Sequence, residues 1–296
     1  MNNSTFKYLR PTSAVKACEL KDKYGEKARF WAGGTDLLLE WQKDIVSLDH
    51  CIDLTFLSDL DYIKEDSNAV LIGALTKVAA IEASSKLNYS LSNIREAAGE
   101  LATPQIRNTA TIGGNICRAA PSADMATPLI VLGAELKLVS ATGERWVAMD
   151  EFFLNLNHTA LEENELLAEI KVPIPSAETA SCFLKIGRTV IDIAIVNMSA
   201  KMAMDEKGTL SDVRIAFGAV APTPLRIKSA EEMLLGADVS RIENALIGEV
   251  SNRVAEEIKP ITDVRGSAEY RREISRVLTK RAMENIIQVL QGRLNV

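Results

Sequence analysis

The sequence predicts an α+β chain in two parts, an N-terminal part in which strands and helices alternate and a C-terminal part in which antiparallel strands precede helices. Three observations predict it. The first fifty residues run helix, strand, glycine pair, helix, strand, an order that favours parallel pairing. The stretch "PIPSAE", residues 173–178, ends an alternating strand with two prolines and is the best linker in the chain, dividing 1–176 from 177–296. Beyond it, three strand-like stretches are followed by three helical ones.

The elements follow in order. "TSAVKACELKDKYG" reads as a helix: Thr12 or Ser13 caps it, Ala14, Ala17 and Leu20 share a face, and Gly25 lies just past its end. "ARFWA" reads as a short buried strand, and "TDLLLEWQ" resumes helical spacing after Gly33 and Gly34, with Thr35 or Asp36 as its cap. "HCIDL" is a second strand. From about Asp59 the pattern turns to strands at "DYIKED" and "AVLIGAL", then helices over 77–87 and 93–102. A short helix near 123–132, strands at "AELKLVS" and "ERWVAM", and the alternating strand "LLAEIKVPIP" complete the first part. In the second part "CFLKIG", "IAIVNMSAKMAM" and "VRIAFGAV" are strands, and helices lie near 230–235, 241–258 and 268–291.

Composition excludes several function classes. The 296 residues are 47% hydrophobic and 25% charged with a net charge of −6, and no basic run suggests nucleic acid. No apolar stretch reaches the roughly 20 residues of a membrane helix, and "MNNSTFKYLRPTSAV" lacks the basic-then-apolar order of a signal peptide. Cytoplasmic residence without membrane insertion is the expectation. Cys18, Cys51, Cys117 and Cys182 are far apart, so neither a zinc site nor an iron–sulfur cluster nor a disulfide framework is expected. With His50 and His158 the only histidines, no metal-ligating or catalytic triad residues are assigned. Redox chemistry would have to come from a bound cofactor.

Two adjacent-glycine pairs, in "RFWAGGTDLLLEW" and "TIGGNICRAAPSADMATP", are the candidate binding elements. Glycines admit positive φ and let a ligand approach the main chain, and successive N–H groups at such turns suit phosphate oxygens. Two such turns would hold a pyrophosphate from both sides; equally, each would be an ordinary tight turn. There is no GxGxxG and no GxxxxGK[ST], so neither a nicotinamide-binding Rossmann domain nor a P-loop is supported.

"WAGGTDLLLEW", "TPQIRNTATIGGNICRAAPSADMATPLIVLGAEL", "LLAEIKVPIP" and "CFLKIGRTVIDIAIVNMSA" stand in the order and spacing of the flavoprotein subunits of molybdenum hydroxylases, which the chain resembles over nearly its whole length. The resemblance implies an FAD-binding domain of the vanillyl-alcohol oxidase type, with subdomains of about 1–57 and 58–176, and the family's C-terminal domain over 177–296. It implies noncovalent FAD, its diphosphate embraced by Phe30, Trp31, Ala32, Gly33, Gly34, Thr35 and Asp36 and by Thr111, Ile112, Gly113, Gly114 and Asn115. Asp124 matches a position that hydrogen-bonds the cofactor. Leu167 would pack on the isoalloxazine, and Lys185 would place its ammonium by the pyrimidine end, favouring the reduced anion. Leu101 stands where several relatives carry an aromatic residue, so stacking there is replaced by packing.

In such complexes a molybdopterin subunit hydroxylates the substrate, a subunit with [2Fe–2S] clusters relays electrons, and the flavin subunit passes them to NAD(P)+ or another acceptor. This chain is similar only to the flavin subunit, so the other two are expected as partners, with a purine or N-heterocycle as the substrate of the whole. It lacks the inserted cysteine loop of benzoyl-CoA-type reductases. The alternatives are a self-contained flavin oxidase of the same superfold, a nicotinamide dehydrogenase, which the missing GxGxxG disfavours, and a flavin-free scaffold subunit.

Overall fold

The computed structural model describes residues 5–176 and 178–294; of the linker stretch 173–178, residue 177 lies outside the described residues. The chain opens with β1 (Lys7–Leu9), α1 (Ala14–Tyr24), β2 (Ala28–Trp31), α2 (Leu37–Gln42) and β3 (His50–Asp53). The strands form a three-stranded sheet in the order β1-β3-β2, parallel as expected. Ser13 caps α1 by accepting from the Lys16 N–H, and Gly25 ends it at φ +56°. The three-residue, largely exposed β1 carries no period that sequence reasoning detects. Asp36 flanks α2, but neither it nor Thr35 makes a side-chain cap bond.

Next come β4 (Ile63–Asp66), β5 (Ala69–Gly73), α3 (Val78–Glu82), α4 (Ser92–Glu100), α5 (Pro104–Arg107), α6 (Ile112–Cys117) and α7 (Ala126–Leu132). Then follow β6 (Glu135–Val139), β7 (Glu144–Ala148), α8 (Met149–Phe152), β8 (Phe153–Asn155), β9 (His158–Thr159) and β10 (Leu166–Pro173). Strands β4-β5-β10-β6-β7 form an antiparallel sheet with β10 at its centre. The helix expected over 77–87 is only the five residues of α3, and neither α5 nor α6 was expected. A bulge between Leu167 and Glu169 lets β10 serve two cores. Leu166 and Ala168 join Ala17, Ile52 and Leu75, whereas Leu167, Ile170 and Val172 join Ile94, Ile112 and Leu129.

The last part holds β11 (Thr179–Ile186), β12 (Val196–Met204), β13 (Leu210–Gly218), β14 (Leu225–Arg226), α9 (Lys228–Glu232), α10 (Asn244–Glu257) and α11 (Ala268–Leu294). Its antiparallel sheet, β11-β12-β13-β14, buries Met198, Ile215 and Phe217 against α10 and α11. Strand β11 lies at the sheet edge, where unpaired backbone groups need cover. Helix α4 supplies it: the Glu96 carboxylate accepts the Phe183 N–H at 2.8 Å, and Asn93 Nδ2 donates to Ser199 Oγ at 2.9 Å. Ser181 Oγ donates to the Ser90 carbonyl at 2.9 Å, and Lys185 Nζ to the Glu100 carbonyl at 2.7 Å. These contacts bind the last sheet to the first part and point Lys185 at the C-terminal end of α4, where helix carbonyls favour a cation.

The loop before α11 is anchored by Arg271, which is 3% exposed. It donates to the Ile195 and Ala219 carbonyls at 2.5 and 3.0 Å and to Asp263 Oδ1 at 2.7 Å. Burial pushes the Asp263 carboxyl up, but the Arg265 N–H and the Arg271 and Arg265 guanidiniums outweigh it and hold it at about 2. Because its folded value lies below the ordinary carboxylate value, its stabilising contribution is present above about pH 4 and is lost as pH falls toward 2. In acid unfolding monitored by circular dichroism, Asp263→Asn is expected to flatten the loss of stability across that window; an unchanged profile would remove Asp263 from the acid-sensitive groups.

Candidate functional site

A cleft of about 900 Å³ runs between the segment after β2, helix α6, the start of β10 and the end of β11. That is at the upper end of what ligand pockets offer, about 300–1,000 Å³. Of the binding residues expected from the sequence, Phe30, Ala32, Gly33, Gly34, Thr35, Asp36, Leu101, Thr111, Gly113, Gly114, Asn115, Asp124, Leu167 and Lys185 line it. Trp31 and Ile112 do not. The Trp31 ring folds back over Gly34, and Ile112 is fully buried in the core.

The two glycine pairs differ physically. Gly33 is pressed against the chain that leads into α6, where a Cβ would lie 2.4 Å from the Thr109 carbonyl oxygen. Gly34 adopts φ +68°, a region that glycine enters without cost. Among the described residues, no acceptor takes the backbone N–H groups of Gly33, Gly34, Thr35 or Asp36. Four successive free donors at the wall of a cleft form a nest suited to an anion.

The second pair is not a turn, as its glycines had suggested, but the first turn of α6. Thr111 caps it by accepting from the Gly114 N–H at 3.0 Å. The Ile112 and Gly113 N–H groups are taken by the Thr76 and Ala74 carbonyls, and that of Asn115 by the Thr111 carbonyl. What this segment presents to the cleft is therefore side chains and open space. The Thr111 hydroxyl, already accepting, keeps its proton to donate; Asn115 accepts from the Met125 N–H through Oδ1 at 3.3 Å, leaving its amide N–H₂. A Cβ on Gly113 would meet the Ala74 carbonyl oxygen at 2.7 Å, whereas one on the exposed Gly114 would meet only Thr111 Oγ1, at 2.9 Å.

Another wall carries a buried ion pair. Lys185 Nζ lies 2.7 Å from Asp124 Oδ2, with side chains 2% and 8% exposed. Sequence reasoning placed both residues at the site but did not pair them. Burial pushes the Asp124 carboxyl up, and the Lys185 ammonium and the Asn197 amide pull it back only in part. Lys185 has two acceptors, Asp124 and the Glu100 carbonyl, so a third N–H remains for a ligand. Leu101 and Leu167, both buried, supply apolar surface to the same cleft.

Several lining or supporting residues escaped the sequence reading. Arg118, at the C-terminal end of α6, donates to Glu40 of α2 at 2.5 Å and to Asn157 at 2.8 Å, tying the helix that contains the second glycine pair to the helix that follows the first. No motif marks that pair, since 78 residues separate its members. Asn197 carried a signal, a lone amide in the apolar run "IAIVNMSA". Cys117 also lines the cleft, but burial pushes its thiol up to about 12, so it stays protonated and unreactive. No histidine lines the cleft, and no cluster of three His, Cys, Asp or Glu side chains fit to hold a metal occurs among the described residues. The arrangement binds and polarises; it contains no nucleophile–base pair.

Residues 4–175 match the family described as the FAD binding domain in molybdopterin dehydrogenase, and residues 181–286 the CO dehydrogenase flavoprotein C-terminal domain. The chain is 35% identical to the carbon monoxide dehydrogenase medium chain of Afipia carboxidovorans, over 95% of its own length and 96% of that protein's. It is 31% identical to the xanthine dehydrogenase FAD-binding subunit of Escherichia coli O157:H7, over 90% and 91%. A solved carbon monoxide dehydrogenase from Hydrogenophaga pseudoflava contains a chain that superposes with a TM-score of 0.92 at 33% identity, covering 98% and 99% of the two chains.

Proposed function

The chain belongs to the family of FAD-binding subunits of molybdenum hydroxylases, and from that premise we propose that it is the electron-exit subunit of such a complex. Electrons enter from the [2Fe–2S] clusters of one partner subunit and leave to NAD(P)+ or another acceptor. A molybdopterin subunit meanwhile hydroxylates a purine or N-heterocycle such as xanthine or nicotinate. The xanthine dehydrogenase relative supports that substrate class. Cytoplasmic residence accompanies the role; among the described residues no helix is long and apolar enough to cross a membrane.

The residues present fit FAD. The single observation that carries the reading is the run of free N–H groups from Gly33 to Asp36 at the wall of a 900 Å³ cleft, a site built for a diphosphate. Opposite them, Gly114 leaves room for phosphate oxygens, and Thr111 and Asn115 offer donors. Leu101 and Leu167 would exclude water from the flavin ring, and Lys185 would offer it an N–H and a positive charge. Bound FAD supplies the redox chemistry, taking up electrons singly and releasing them singly or as a hydride. The chain's own residues bind, orient and bias the charge. On this reading residues 1–176 form the FAD domain, and 177–296 the C-terminal domain that lends it Lys185.

A visible spectrum of the purified chain before and after acid precipitation tests the reading. Flavin bands are expected, with FAD in the supernatant. Flavin retained in the pellet would point to a covalently flavinylated oxidase, and a colourless chain that takes up no added FAD to a scaffold. Coexpression with homologous iron–sulfur and molybdopterin subunits is expected to yield a complex that copurifies; failure of all three to associate would overturn the subunit role while leaving FAD binding intact.

A further inference from the structure

Asn197, the lone amide of the apolar run "IAIVNMSA", is completely buried and makes three hydrogen bonds at the edge of the site. Its Nδ2 donates to Asp124 Oδ1 at 2.8 Å and to the Ser122 carbonyl at 3.3 Å, and its Oδ1 accepts from Thr127 Oγ1 at 3.4 Å. It sits directly opposite Lys185 in the β11–β12 register. The two cross-strand neighbours therefore grip one carboxylate, Lys185 by Oδ2 and Asn197 by Oδ1. The fold reserves the space for this amide: Gly218 pairs with Asn197 on β13, and a Cβ there would lie 2.3 Å from Asn197 Oδ1.

We infer that Asn197 is a positioning residue for the cofactor site, holding the Asp124 carboxylate so that Lys185 keeps one N–H and its charge turned to the ligand. The inference rests on the FAD reading above. A buried carboxylate oxygen stripped of its donor keeps the cost of desolvation without the compensating bond. Asp124 would then rotate toward another donor, and the nearest is the Lys185 ammonium. The Asp124 carboxylate and the Ser122 carbonyl, which can only accept, decide which end of the amide faces them, and the Thr127 hydroxyl, able to donate or accept, donates to the oxygen left on the other side. The C-terminal sheet thus enters the site through a pair of residues and not through Lys185 alone.

Asn197→Leu tests this with the branched shape of the side chain kept, because it removes the donor to Asp124 without adding a charge. The wild-type and variant chains are reconstituted with FAD, and the dissociation constant, the flavin midpoint potential and the melting temperature are measured. Expected are wild-type FAD binding, about tenfold or more weaker binding by the variant, since one charge-assisted hydrogen bond is worth roughly a factor of ten or more, and a more negative potential, because the Lys185 ammonium is drawn from the ligand toward the unsatisfied carboxylate. A purely structural role would lower the melting temperature and leave the potential where it was, and that result overturns the inference, as does a variant identical to wild type. If Asn197→Leu does not fold, Asn197→Ala decides instead: weaker FAD binding with a more negative potential supports the inference, and wild-type binding and potential overturn it. A wild-type chain that takes up no FAD at all would fail the functional reading itself, and the inference with it.

Discussion

Gly114→Val yields a folded chain that binds FAD at least about 100-fold more weakly, a loss on the order of 2.7 kcal/mol. Gly114 is exposed at the cleft, and beyond its own helix backbone a Cβ there would meet, among the described residues, the capping Thr111 Oγ1, 2.9 Å away. Valine therefore disturbs two things. On the proposed reading its branches fill the space where phosphate oxygens would lie, and its Cβ pushes the Thr111 hydroxyl off the cap, which costs stability by about 0.5–2 kcal/mol. The first effect falls on binding and the second stays within what a domain of this size tolerates. Gly113→Ala is the contrasting control. There the added carbon meets the Ala74 carbonyl oxygen at 2.7 Å and its Cβ at 2.8 Å, so strand β5 and helix α6 must separate. That change is expected to cost folding before binding. Flavin absorbance of each purified variant, with its urea unfolding curve, separates the two outcomes. Full flavin content in Gly114→Val would withdraw this residue from the site.

Lys185→Ala is expected to cost the apoprotein about 3–5 kcal/mol at neutral pH, the range for removing one partner of a buried ion pair. The pair is 2% and 8% exposed at its side chains, and truncation leaves Asp124 with the Asn197 amide alone. Burial already pushes the Asp124 carboxyl up against the pull of Lys185. Without Lys185 it rises still further above its value in the unfolded chain. A carboxyl raised on folding imposes its penalty at high pH and sheds it as pH falls, because the folded state then binds the proton more tightly than the unfolded one. The difference between wild type and variant should thus be largest at neutral to alkaline pH and shrink toward pH 4. The double variant Asp124→Asn/Lys185→Met, which leaves no buried charge, is expected to recover much of the lost stability. Urea titrations at several pH values check both; a difference independent of pH would mean that Asp124 is not the group left unpaired.

The legible parts of the molecule were those encoded within a few neighbouring residues. Helix α1 was readable from Ser13 to Gly25 because its cap, its apolar spacing and its terminating glycine are all local. The parallel pairing of β2 with β3 followed from the strand–glycine–helix order, and β10 from its alternation. The second glycine pair misled because each glycine disfavours a helix interior by about 1 kcal/mol. The Thr111 cap and the seating of Gly113 on Ala74 override that preference, and only the second lies outside the local sequence. Helix α3 fell short of its expected length for a related reason: "SSKLNYS" continues no apolar face after Glu82.

By itself the sequence determined the class of the chain, most of its longer strands and helices, the two glycine segments and the family to which they belong. All of these reside in spacing along the chain, where each side chain's periodicity and each glycine's freedom act on near neighbours. Only the tertiary structure decided that the first glycine pair leaves its N–H groups open while the second has spent them. It alone joined Lys185 to Asp124 across 61 residues and Asn197 to the same carboxylate across 73. Those pairings depend on the register of β11 with β12 and on helix α4 covering the edge of β11. A register is set by the sum of contacts over a whole strand, and a buried charge takes whatever partner that sum brings within hydrogen-bond distance.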